Sequence, residues 1–211
     1  MTVPCGLIQN ARPLDRSLFD MLHPQGRQLI SGWAARGGHV RVDADASAYF
    51  EGFIFLWFAV NGWGACVTGT DTDREWVDAV AGDKDLATSF ADSLRTDAGF
   101  ADAGLRFAEL WPIFRSSEIR RRGIWLPSDH TRAQRVQTYL ENGISYEPSC
   151  WRSHTDRSPP MDWTHTFKTL YRVRCNLFHG EKTLDSENDR SIVQGAYPIL
   201  VETARLLGLT P

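Results

Sequence analysis

Residues 48–67 read Ala48-Tyr-Phe-Glu-Gly-Phe-Ile-Phe-Leu-Trp-Phe-Ala-Val-Asn-Gly-Trp-Gly-Ala-Cys-Val67. Phe50, Phe53, Ile54, Trp57, Phe58 and Val60 fall on nearly every side of a helix. A helix that is apolar all round must be covered on all sides, so this segment predicts a central core helix. Asp45 or Ser47 can cap its start, since a short polar side chain there accepts from an otherwise unpaired backbone N–H. Gly62 and Gly64 either weaken its second half or let another helix come close.

Helical periodicity continues on both sides. Upstream, Leu14–Leu22 and Gln25–Arg36 read as short helices split at Pro24, and Gly37-Gly38 ends the second. Residues 1–13 read as an irregular lead-in. Downstream, the polar turn Thr68–Thr72 precedes helices over Asp73–Ala81, Asp83–Thr96 and Phe100–Trp111. Asp83 is an N-cap, and Pro112 stops or kinks the third helix. Ser116–Arg122 predicts one more turn of helix, and Gly123–His130 a loop. Thr131–Asn142 follows as a helix that Asn142-Gly143 stops.

Residues 144–162 form the longest loop, with Pro148, Pro159 and Pro160. Asp162 then caps a helix over Trp163–His179. Its Trp163, Phe167, Leu170, Val173 and Leu177 recur at three-to-four spacing, and Gly180 stands where a C-terminal cap belongs. A polar turn leads to a last helix over Asp189–Leu207. There is almost no strand signal. The fold expected is all-α, a helical bundle. Its division is an N-terminal helical extension over 1–44 and a helical domain over 45–211, with a helical insert at about 68–130.

The chain has 211 residues, enough for one domain with a core that needs no staples. Its formal charge is -3, so any polyanion must be bound through a local patch rather than the whole surface. Of 23 basic residues only Lys84, Lys168 and Lys182 are lysine. The arginine excess suits bidentate phosphate binding, and it also follows from a GC-rich coding sequence. Cysteines at 5, 66, 150 and 175 form no CxxC pair, so a zinc knuckle is excluded in its usual form. No signal pattern opens the chain, and a reducing, cytoplasmic setting is expected. The longest apolar run, Phe53–Val60, is well short of the roughly 18 residues that span a bilayer, so no membrane partner is expected.

The chemistry-bearing stretch is Tyr171-Arg-Val-Arg-Cys-Asn-Leu-Phe-His-Gly180. Arg172, Asn176 and His179 fall at i, i+4 and i+7, on one helix face. Arg174 lies about 140° from His179 at about 100° per residue, and fraying of the helix end or a second copy of the chain can bring them together. A histidine near neutral pKa moves a proton. An arginine holds phosphate and stabilises a pentacovalent phosphorane. An asparagine orients either. Those parts suffice for metal-independent RNA cleavage, in which a 2′-OH attacks the adjacent phosphate and leaves a 2′,3′-cyclic phosphate and a 5′-OH. The plainer reading is a histidine set against the helix dipole and arginines on a solvated face.

Arg-Cys-Asn-Leu-Phe-His-Gly at 174–180 resembles the R-x4-6-H signature of HEPN domains. The likeness is to the form found in HEPN nucleases of toxin–antitoxin, abortive-infection and antiviral systems. Phe53–Asn61 resembles the first core helix of such families. The resemblance covers roughly residues 45–210. It implies a HEPN-like up-and-down bundle with extra helices, Arg174 and His179 at the catalytic positions, and Asn176 at the polar one. Many members place that polar residue directly after the arginine, where this chain has Cys175. Arg172 also satisfies the spacing. The resemblance further implies a homodimer whose two motifs share a cleft, a toxin or defence role, and an antitoxin or nucleotidyltransferase partner. Many HEPN domains only bind RNA or such a partner, and that is the alternative function. No cofactor and no metal are expected.

Other residues carry weaker expectations. Arg120-Arg121-Arg122, with Arg115, is the strongest basic patch and a candidate for phosphate contacts. Lys182 can steer phosphate or favour a helix C-terminus. Trp151-Arg-Ser-His-Thr-Asp-Arg157 suits stacking on a base plus phosphate contact. Glu51 either pairs with Arg172 or Arg174, because a buried charge needs a partner, or lies on an exposed strip. Asn61 fits a buried interhelical hydrogen bond. His23, His39, His130 and His165 show no ligand spacing and receive no function. The eight tryptophans are expected in the core.

Overall fold

The core helix expected from residues 48–67 runs from Ala46 to Thr68 (α3) in the computed structural model, which describes residues 13–41, 45–70, 72–127, 129–151, 161–178 and 186–210. Asp45 caps it, accepting from the Ala48 N–H at 3.1 Å. Phe53, Leu56, Trp57, Ala59 and Val60 are wholly buried. By length and composition α3 could cross a membrane, yet 56% of its apolar window is covered by the rest of the fold.

Helix makes up 73% of the structure, and the all-α expectation holds. Ahead of α3 come Ser17–Met21 (α1) and Pro24–Gly37 (α2). Pro24 does not merely divide them: it opens α2 at a position where its missing N–H costs nothing. After α3 come Asp73–Ala81 (α4), Lys84–Thr96 (α5), Ala98–Glu109 (α6), Ser116–Arg121 (α7), Arg132–Glu141 (α8), Trp163–Phe178 (α9) and Glu187–Leu206 (α10). Ile113–Phe114 (β1) and Tyr146–Glu147 (β2) pair antiparallel, Ile113 with Glu147 and Phe114 with Tyr146.

α3 is the axis. α2 and α10 flank it, and α4 links it to α9. The α2–α3 approach is close because both helices present glycine: a Cβ on Gly37 would stand 2.6 Å from the Leu56 nitrogen. Tyr197 of α10 locks this corner. Its hydroxyl donates to the Gly37 carbonyl at 2.7 Å and accepts from the Val40 N–H at 3.1 Å. Gly64 likewise admits the Trp76 ring of α4, so the glycines of α3 serve close contact. Trp57, Trp76, Phe167, Trp163 and Phe90 form a chain of ring contacts from α3 through α4 and α9 to α5. The segment 73–109 and helix α2 therefore contribute to the same core as α3.

Glu51 lies on the exposed strip of α3 and pairs with Arg36 at 2.7 Å, not with Arg172 or Arg174. Asn61 makes no interhelical bond among the described residues, and its Oδ1 is buried without a partner. Of the tryptophans, Trp125 leaves the core, at 82% exposed.

Candidate active site

α9 positions the motif. Asp162 fixes its start by accepting from the His165 N–H at 2.9 Å, and the described helix ends at Phe178. His179, Gly180 and Lys182 lie outside the described residues, as do Arg152, His154 and Arg157.

Arg174 faces α4. Its Nη1 sits 2.9 Å from Asp73 Oδ2, and its guanidinium lies 4.9 Å from the Phe178 ring centre. Tyr171 completes the group, with its hydroxyl pushed up to about 12 by burial first and then by Cys175 and Asp73. Phe178 is 39% exposed, so this flank of α9 opens to solvent.

Arg172 and Asn176 occupy another flank, toward the two-stranded ribbon. The structure thus separates them from Arg174 rather than bringing all three together. Asn176 is 1% exposed and both ends of its amide are engaged. Nδ2 donates to the Phe114 carbonyl at 2.8 Å, and Oδ1 accepts from the Ser116 N–H at 3.1 Å. It ties α9 to the β1–α7 junction, which corrects its expected place beside substrate. A side chain bonded at both ends to backbone and closed off from solvent is a structural tie.

Arg172 is also buried, at 8% exposed, and is corrected from substrate binding to the interior. Burial and the neighbouring Arg115 both disfavour its charge, while Glu147, Cys175 and Glu118 support it. Glu147 shares the environment: burial pushes its carboxyl up, against the pull of Arg172 and Lys168.

The expected basic patch contains an acid at its centre. Glu118 is buried and accepts from the Ser145 N–H and hydroxyl at 2.8 and 3.0 Å. Arg115 and Arg121 approach it at 3.6 and 4.0 Å. Arg122 donates to the Asn142 carbonyl at 2.6 Å. Arg120 belongs to the same turn and is also engaged. The patch remains basic at its rim, where the Arg115 and Arg121 side chains are 46% and 74% exposed.

Sequence reasoning missed a second group. Cys150 Sγ lies 2.9 Å from His165 Nε2, and His165 Nδ1 lies 2.6 Å from Asp162 Oδ2. The only signal in the sequence was Asp162 with His165 three residues on, at a helix start. Cys150 reaches them through the fold of the loop between β2 and α9, which spacing does not encode.

The fold and these sites define an all-α protein with a charged, partly open helix end. Family models, curated proteins and solved structures offer no match to the chain.

Proposed function

We propose that this chain is a metal-independent endoribonuclease of HEPN type, a toxin or antiviral effector that works as a homodimer. One observation carries the reading: Arg174 stands one turn before the end of α9, held by Asp73 and bordered by solvent, with His179 next in sequence to the last described residue of that helix. In the proposed reaction His179 takes the proton of the 2′-OH or gives one to the leaving 5′ oxygen. The 2′ oxygen bonds to phosphorus, the P–O5′ bond breaks, and Arg174 stabilises the charge gathered on the phosphoryl oxygens. Asn176 serves by fixing α9 against α7 rather than by touching RNA.

Support for a dimer comes from an apolar strip beside Arg174. Phe178 touches Phe58 at 5.5 Å between ring centres, Phe58 touches Trp33 at 5.6 Å, and Leu29, 53% exposed, continues along α2. A second copy on this strip would set the two helix ends side by side.

Incubation of the purified protein with total RNA in EDTA tests the reading. Cleavage is expected, and His179→Ala or Arg174→Ala should lower it by about a hundredfold or more. Absence of cleavage of every RNA by the dimer overturns it. The Arg174–Asp73 pair favours a second reading, a non-catalytic module that binds RNA or a nucleotidyltransferase or antitoxin partner. In that case wild type and His179→Ala are equally harmless on expression, and RNA is shifted on a gel without being cut.

A further inference from the structure

We propose that Cys150 is a reactive thiolate site, activated by His165 and Asp162, that hydrogen peroxide oxidises to a sulfenic acid. The carboxylate is placed first. Asp162 Oδ1 accepts the His165 backbone N–H at 2.9 Å, which holds the side chain at the start of α9. Oδ2 then meets His165 Nδ1 at 2.6 Å. With its Nδ1 proton held by a carboxylate, the imidazole turns its basic Nε2 to the Cys150 sulfur at 2.9 Å. A nucleophile, a base in hydrogen-bond reach and a third group orienting that base form the arrangement that activates a thiol.

The surroundings favour the charge-separated pair. The thiol proton passes to Nε2, leaving a thiolate beside an imidazolium. Asp162 balances the imidazolium on one side. Glu147 of β2 also interacts with His165, and Lys168 and Arg172 of α9 balance Glu147 in turn.

Access selects the substrate class. Cys150 and His165 are each 6% exposed, which admits a small oxidant and excludes an acyl group carried on a chain. In the step, the thiolate attacks one peroxide oxygen. The S–O bond forms as the O–O bond breaks. The departing hydroxide takes the imidazolium proton and leaves as water. Sulfur loses the two electrons that the peroxide gains.

Two other described cysteines serve as internal controls. Burial pushes the Cys66 thiol up, and it donates to the Leu18 carbonyl at 3.4 Å. Cys175 stands beside Tyr171 with no imidazole on it among the described residues. The full chain, reduced and then treated with hydrogen peroxide, is unfolded into dimedone and digested, and its cysteine peptides are quantified by mass spectrometry. Cys150 should carry roughly ten times more adduct than Cys66 or Cys175, the ratio expected between a thiolate and a thiol at neutral pH. His165→Gln should bring Cys150 down to their level, and Asp162→Asn should lower it in part. Iodoacetamide labelling of wild type gives a readout independent of any variant's folding. Its rate at Cys150 should already be on its plateau near neutral pH. Equal labelling of the three cysteines, unchanged labelling in a folded His165→Gln, or a Cys150 rate that climbs through the ordinary thiol range overturns the proposal.

Discussion

Asn176 shows how far a single residue's role depends on what covers it. In sequence it stands inside a motif, and its amide suits orienting a phosphate. In the fold it faces the β1–α7 junction and satisfies a carbonyl and an N–H that have lost water. Asn176→Ala should therefore cost about 1–3 kcal/mol through two unsatisfied buried groups, measured by urea unfolding. Glu118 gives a second residue-scale test. The Ser145 N–H, the Ser145 hydroxyl, Arg115 and Arg122 together hold its carboxyl below the ordinary range despite burial. A depressed folded-state value stabilises the fold above the unfolded value of about 4.3, and that contribution is lost as pH falls through the folded value. Glu118→Gln should lower the unfolding midpoint at neutral pH. Its deficit against wild type should shrink as the pH drops into the acid range. Arg174 was legible as a candidate from the motif, and it lies at the solvent-bordered end of α9. The Cys150–His165–Asp162 group was not legible, because loop geometry alone sets the approach of Cys150.

At the scale of elements, period and punctuation were sufficient where a helix ends in its own capping residue. Asp45, Asp83 and Asp162 accept the backbone N–H groups expected of N-caps, and Thr131, read as the first helical residue, caps α8 as well. Helix α4 spans the residues its periodicity indicates, Asp73–Ala81. The ribbon of β1 and β2 escaped, since two-residue strands carry no alternation and exist through pairing across about thirty residues of chain. The glycines of α3 could be read as weak points or as contacts, and packing decides for contacts. Gly37 of α2 shows the same logic most sharply. Its missing side chain faces backbone, the Leu56 nitrogen and the Gly52 carbonyl, which cannot swing aside. Gly37→Ala should destabilise the protein by about 1–3 kcal/mol through overpacking, as read from the urea midpoint.

Across the whole molecule, the arginines do not gather on one face. Arg74, Arg95, Arg106 and Arg205 each pair with an acid of their own helix, Arg16 pairs with Asp83, Arg36 with Glu51 and Arg174 with Asp73, and Arg115 and Arg121 share Glu118. Nine of the 20 arginines have a carboxylate within 4.0 Å among the described residues. The arginine excess therefore lends the nuclease proposal no weight. That proposal rests on the helix end and its surroundings. Leu29→Glu, which places a charge on the apolar strip without touching the core, should convert a dimer to a monomer in analytical ultracentrifugation. Cleavage should fall with it.

The ring contacts that join α3, α4, α9 and α5 also make the protein its own optical instrument. Trp57 and Trp76 lie 5.9 Å apart at 41°, and both are sealed from water. Indoles that close and that rigidly inclined couple their transitions, so the native state should show strong near-ultraviolet circular dichroism that vanishes on loss of tertiary packing. Trp125 is the most exposed of the described tryptophans, and iodide should quench its red-shifted share of the emission most strongly. One cuvette therefore reports the core and the surface separately.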